Sequence, residues 1–170
     1  MPRWLSVRVV LLGVLLGGLG TLVVGGLYLA SQGEAGMPRL KEANFHAAEA
    51  RWRKLGPPSY DLDVEISGGQ TGLFHVEVRR GEVTACTRNG LAPRRHTWET
   101  WTVAGQFETL ELELQGAADP QSRYGVPAGT QVIQQAMFDP ELGYPLRYER
   151  HVMGANLPVA WRVTRFAPVK

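Results

Sequence analysis

From Tyr60 onward the chain alternates. Tyr60, Leu62, Val64 and Ile66 are interleaved with Asp61, Asp63, Glu65 and Ser67, the period-two pattern of a strand with one buried and one wet face. Phe74, Val76 and Val78 repeat it, and Val83 and Ala85 continue it in a third run. Arg80-Gly81 reads as a two-residue hairpin turn, which sets Arg79 opposite Glu82, Val78 opposite Val83 and Val76 opposite Ala85. Closing the first hairpin around "GGQTG" pairs Ile66 with Phe74, Val64 with Val76, Leu62 with Val78 and Asp61 with Arg79. The acidic DxDxE run is then the solvated face of a strand rather than a cation site. Farther along, placing Phe138 opposite Leu146 aligns Ala136 with Tyr148, Gln134 with Arg150 and Val132 with Val152. Val159, Trp161 and Val163 supply a further strand, with Arg162 in reach of Glu149. Between them "DPELGYP" is a turn, in which Asp139-Pro140 starts the bend and Gly143 takes positive φ. It lacks the alternating oxygen ligands and closing Glu of an EF-hand loop.

Two segments carry a helical period instead. Phe45, Ala48, Trp52 and Leu55 recur at spacings of three and four, with Pro38 suited to a first helical position and Gly56-Pro57-Pro58 ending the run. In 103–115, Val103, Phe107, Leu110 and Leu114 fit a helix capped by Thr102, while Leu110, Leu112 and Leu114 also alternate as a strand would. Length favours the helix. Residues 116–130, with two prolines and three glycines, read as a long loop.

The first forty residues differ from all of this. Val9 to Ala30 contains no charge and, apart from the Tyr28 phenol, one hydroxyl, on Thr21; as a helix it is long enough to cross a hydrocarbon core of about 30 Å. A cleaved signal peptide needs a shorter apolar run before a small-x-small site, and Trp4 and Tyr28 bracket this one as interfacial anchors do. The expected organisation is a cytoplasmic tail at 1–8, a single-pass signal-anchor at 9–30 in the lipid bilayer of the cytoplasmic membrane, a linker at 31–38 and an extracytoplasmic domain at 39–170. Gly13 and Gly17 have the spacing that brings two membrane helices together, a route to self-association.

Charge and chemistry narrow the function classes. The chain has 170 residues, and setting Arg3 and Arg8 aside leaves 16 of its 18 Lys and Arg against 16 Asp and Glu. No net field steers the domain onto nucleic acid. The lone Cys86 excludes an intramolecular disulfide. His46, His75, His96 and His151 are scattered without zinc-ligand spacing, and no phosphate-binding glycine motif or other cofactor signature appears. One catalytic constellation is geometrically conceivable: the registers above place Glu65 beside His75 and His75 beside Cys86, a relay across three strands about 4.8 Å apart. The basic and aromatic stretch Arg94, Arg95, His96, Trp98 and Trp101 is a possible binding surface.

"FHAAEARW", "SYDLDV", "LFHVEVRRGEV", "TVAGQFETL" and "FDPELGYPLRY", in that order, resemble the bacterial family catalogued as domain of unknown function 6174. The resemblance implies an exported or membrane-attached protein, and it implies no activity. Many members are lipoproteins; this chain departs from them in having a spanning segment and no cysteine near it. The expected fold is α+β, one antiparallel sheet of about six strands with two helices on its apolar face in the order αβββαβββ. The expected function is non-catalytic binding of a protein, peptide or envelope component outside the membrane. The alternatives are a cysteine-dependent enzyme built on Glu65, His75 and Cys86, and a membrane-complex subunit acting through the glycine-rich helix.

Overall fold

Which side of the sheet carries the core follows from the strand alternation. The structure, a computed structural model, describes residues 36–68, 71–118, 126, 129–154 and 159–169. Among these residues the chain forms helix α1 (Glu42–Leu55), strands β1 (Tyr60–Ser67), β2 (Gly72–Arg79) and β3 (Glu82–Arg88), helix α2 (Val103–Ala118), and strands β4 (Val132–Phe138), β5 (Pro145–Val152) and β6 (Val159–Pro168). The strands make one antiparallel sheet in the order β3-β2-β1-β6-β5-β4. Both sheet and helices are as the periodicities predict, and α2 is a helix, not the alternative strand. The expected membrane span and its Gly13 and Gly17 lie outside the described residues; within them, no helix is long and apolar enough to cross a membrane.

Tyr60, Leu62, Val64 and Ile66 on β1 and Phe74, Val76 and Val78 on β2 are buried, and they share one core with Phe45 and Ala48 of α1 and Val103, Phe107 and Leu110 of α2. The α1 stripe stops short of its expected length: Leu55 is 52% exposed, because Gly56 turns the chain away over the Trp52 indole. A Cβ on Gly56 would stand 2.7 Å from that ring. At the other end Pro38 is not in the helix. Its carbonyl accepts the Ala136 amide at 3.0 Å, and the Leu40 amide donates to the Gln134 carbonyl at 2.9 Å. Residues 38–40 thus cover the outer edge of β4 and satisfy groups an edge strand would leave open. The helix begins at Glu42, where the Asn44 side chain accepts the Lys41 amide at 2.8 Å.

Four registers differ from the alternation-based pairing. β1 and β2 slide by two residues, so that Asp63 faces His75 and Val64 faces Phe74; a slip of two leaves every side chain on its own face. In β3 a bulge at Thr84 adds one residue, and Cys86 pairs with Val76 while Ala85 pairs with Glu77. A slip of one does exchange faces. The third is at β4–β5, where Ala136–Tyr148, Gln134–Arg150 and Val132–Val152 pair as predicted, but a bulge sets Phe138 against Pro145 instead of Leu146. Arg162 lies opposite Arg147 on β5 and Glu65 on β1, not opposite Glu149.

The DPELGYP segment is a turn that packs on α1. Asp139 Oδ1 accepts the amides of Glu141 at 3.0 Å and Leu142 at 2.7 Å, and Gly143 has φ of 87°. The Tyr144 ring stacks on Phe166 at 4.4 Å and meets Trp52 edge-on at 6.2 Å.

Candidate functional site

The open face of the sheet is a lattice of ion pairs. Asp61 binds Arg79 at 2.7 Å, Asp63 binds His75 at 2.5 Å, and Glu65 binds Arg162 at 2.6 Å. Arg79 also reaches Glu77 at 3.2 Å. On β5, Glu149 is hydrogen-bonded by Arg147 and, at 3.1 Å, by His151. Partial burial works against the Glu149 carboxylate, but these hydrogen bonds outweigh it and hold its pKa below the ordinary value.

The predicted relay does not assemble. Cys86 lies on the core face, 2% exposed, because the Thr84 bulge turns it inward. His75 projects on the opposite face against Asp63, and Glu65 is engaged by Arg162. Burial raises the Cys86 thiol pKa, which disfavours the nucleophilic thiolate. The remaining histidines stay apart: His46 is on α1, 3.9 Å from Glu49, and His151 is beside Glu149 on β5. Among the described residues no cluster of His, Cys, Asp and Glu has the makings of a metal site.

The Arg94–Trp101 segment folds into two short 3-10 turns, Arg95–Thr97 and Glu99–Trp101. Its aromatic groups are already committed. Trp101 stacks on Phe74 at 4.7 Å, Trp98 donates its indole N–H to the Pro93 carbonyl at 3.0 Å, and the Arg95 guanidinium lies 4.4 Å above the Trp98 ring. Arg94, Arg95 and His96 are exposed, so the segment offers solvent its charges and keeps its indoles against the core.

The open face carries a depression of about 260 Å³ beside Glu65, Glu149 and Arg162; a larger concave surface lies on the helical side, which the sequence reasoning did not anticipate. A groove of about 460 Å³ runs between α1, the start of α2 and the loop leading into β1. Trp52 and Pro57, both half-buried, and the exposed Pro58 form one wall, and Tyr60, Val78 and Phe107 lie beneath. Tyr60 is fixed at both ends: its ring packs on Phe166 and Trp52 at 5.3 and 5.6 Å, and its hydroxyl accepts the Val103 amide at 3.2 Å. Burial, partly offset by that hydrogen bond, pushes its pKa up to about 12, so it stays a neutral phenol. Thr102 caps α2 as predicted, accepting the Gly105 amide at 3.0 Å and donating to the Glu99 carbonyl at 2.8 Å. Gly105 permits this close turn, since a Cβ there would fall 2.1 Å from the Glu99 oxygen. Glu49, Glu108 and Glu111 line the groove, and among the described residues Arg53, 2.6 Å from Glu49, is the one cation lining it.

No protein-family model matches the chain, and no curated protein matches it significantly.

Proposed function

We propose that the chain is a membrane-anchored, extracytoplasmic binding module. Val9–Ala30 spans the cytoplasmic membrane, and the α+β domain binds a segment of another protein or a peptide without transforming it. The resemblance to the exported family of unknown function is part of this reading: it implies export or membrane attachment and no activity, while the spanning segment departs from the lipid anchor of many members.

The observation that carries the reading is the groove. Its volume of about 460 Å³ falls in the range of about 300–1,000 Å³ typical of ligand clefts. Its wall of Trp52, Pro57 and Pro58 is rigid and apolar, so little order must be imposed when a ligand settles. The separation of Cys86 from His75 across the sheet speaks against the cysteine-enzyme alternative.

The test places a photoreactive p-benzoylphenylalanine at Ala104, on the groove, or at Leu73, which is 46% exposed on the open sheet face. The full chain is irradiated in its native membranes. A discrete adduct from Ala104 that is absent from Leu73 is expected. Diffuse labelling that is equal at both positions, or no adduct from Ala104, would overturn the reading.

A further inference from the structure

We infer that the groove selects a basic peptide segment, one that combines lysine or arginine with a large apolar anchor. The inference rests on the binding-module reading and adds to it the chemistry of the partner.

The rim supplies the first reason. Beyond Gly81, Thr102 and Ala104 the groove continues into a second depression of about 290 Å³, which shares those residues and Glu108 and adds Glu82 and Glu99. Among the described residues, five glutamates therefore face one arginine along the two depressions, and Arg53 is already paired with Glu49. Among the described residues, Glu82, Glu99, Glu108 and Glu111 take part in no ion pair. All four are exposed, so they hold their charge in water and present it to whatever enters.

This differs from the open sheet face, where Asp61 and Glu65 each have an arginine, and Asp63 has His75, within 2.7 Å. The domain neutralises its acids there and leaves them unneutralised here. A surface of one sign beside an apolar wall attracts the opposite sign and repels its own. Nucleic acid and anionic lipid head groups are disfavoured by their phosphates. A small amine would satisfy one carboxylate and leave the second depression empty. A peptide is long enough to run along both depressions, set an apolar side chain against Trp52, Pro57 and Pro58, and bring its cations to Glu108 and Glu111 along α2 and to Glu82 and Glu99 in the second depression.

The test uses the full chain in uncharged detergent micelles, with empty micelles as the blank. The probe is a fluorescein-labelled peptide in which four lysines alternate with leucine and tryptophan; two analogues carry glutamine or glutamate in place of lysine. Fluorescence anisotropy reads binding. The lysine probe is expected to bind, the glutamine analogue about tenfold more weakly and the glutamate analogue not at all. The double variant Glu108→Gln, Glu111→Gln should weaken the lysine probe about tenfold and reduce its sensitivity to salt, because both positions are exposed and lose only charge. A glutamine analogue that binds equally well, or a double variant that binds as wild type does, would overturn the inference while leaving a groove that binds. Failure of all three probes would overturn it too, and the Ala104 adduct then shows whether the binding-module reading survives. Self-association of the chain that Arg94→Glu with Arg95→Glu abolishes would assign the groove to a second copy, and would equally overturn it.

Discussion

At Gly143 the backbone of the DPELGYP turn lies against α1, and replacing it separates two costs that usually arrive together. Gly143 and Gly81 have nearly the same backbone, with φ of 87° and 85°. A Cβ at Gly81 meets nothing within 4 Å, whereas one at Gly143 would stand 2.3 Å from the Ala48 carbonyl oxygen and 3.0 Å from Arg51 Cβ. Gly81→Ala therefore carries only the left-handed backbone penalty, about 1–2 kcal/mol, less about 0.5 kcal/mol for the stiffer unfolded chain. Gly143→Ala carries the same terms and must also push the turn off a helix backbone by about 1 Å, an overpacking cost of about 1–3 kcal/mol. The expected losses are about 1 kcal/mol and about 3 kcal/mol. In urea unfolding followed by tryptophan fluorescence, with a slope of about 2 kcal/mol per molar, the midpoints should fall by about 0.5 M and about 1.5 M. Equal shifts for the two variants would refute the close approach of the turn to α1, and with it the account of why Tyr144 is held against Trp52 and Phe166.

Two further outcomes follow from buried ionisable groups. Cys86 should react with a disulfide reagent at pH 8 at least about a hundredfold more slowly in the folded chain than in urea, since burial raises its pKa. His75→Ala should leave that rate unchanged; rapid labelling that the variant abolishes would restore the relay. Burial raises the pKa of Glu113 in the folded state despite the attraction of Arg150, 3.0 Å away, so ionised Glu113 costs stability at neutral pH. That cost fades as pH falls through the raised folded value toward the unfolded value of about 4.3. Wild type should therefore gain on Glu113→Gln in urea unfolding between pH 7 and pH 4, and a difference that is flat or of opposite sign would refute the assignment.

The faces of the sheet were legible because a period of two is a strong constraint, and the same constraint explains what was missed. Sliding β1 past β2 by two residues keeps Leu62, Val64, Val76 and Val78 inside, so alternation alone cannot tell Asp63–His75 from Glu65–His75. The Thr84 bulge does exchange faces, but the segment "VTACT" leaves the choice open, since Ala85 and Cys86 are both small enough for either side. A signal was present in Cys86 itself, a residue type that is usually buried. The pairing of 38–40 with β4 carries no local pattern at all, because it depends on an edge that exists only once the sheet is built. The groove is of the same kind: its wall comes from a helix C-terminus and a Pro-Pro pair, its rim from two helices and β3, elements far apart in sequence.

The energetics of the two faces point the same way as their charges. A ligand on the open face would have to displace Arg162 from Glu65 or Arg79 from Asp61 to reach their carboxylates. Partly exposed pairs of this kind are worth about 0–1 kcal/mol, and a replacement cation regains no more than that, so the exchange is close to neutral. The same face presents Leu73 as its large exposed apolar side chain on β2. On the groove nothing has to be displaced. A leucine-sized anchor laid against Trp52, Pro57 and Pro58 gains up to about 1.5–3 kcal/mol from apolar burial, and Glu82, Glu99, Glu108 and Glu111, in no ion pair among the described residues, add their attraction without first losing a partner. Because affinity grows about tenfold for each 1.4 kcal/mol, a single anchor already favours the groove over the open face by about one to two orders of magnitude.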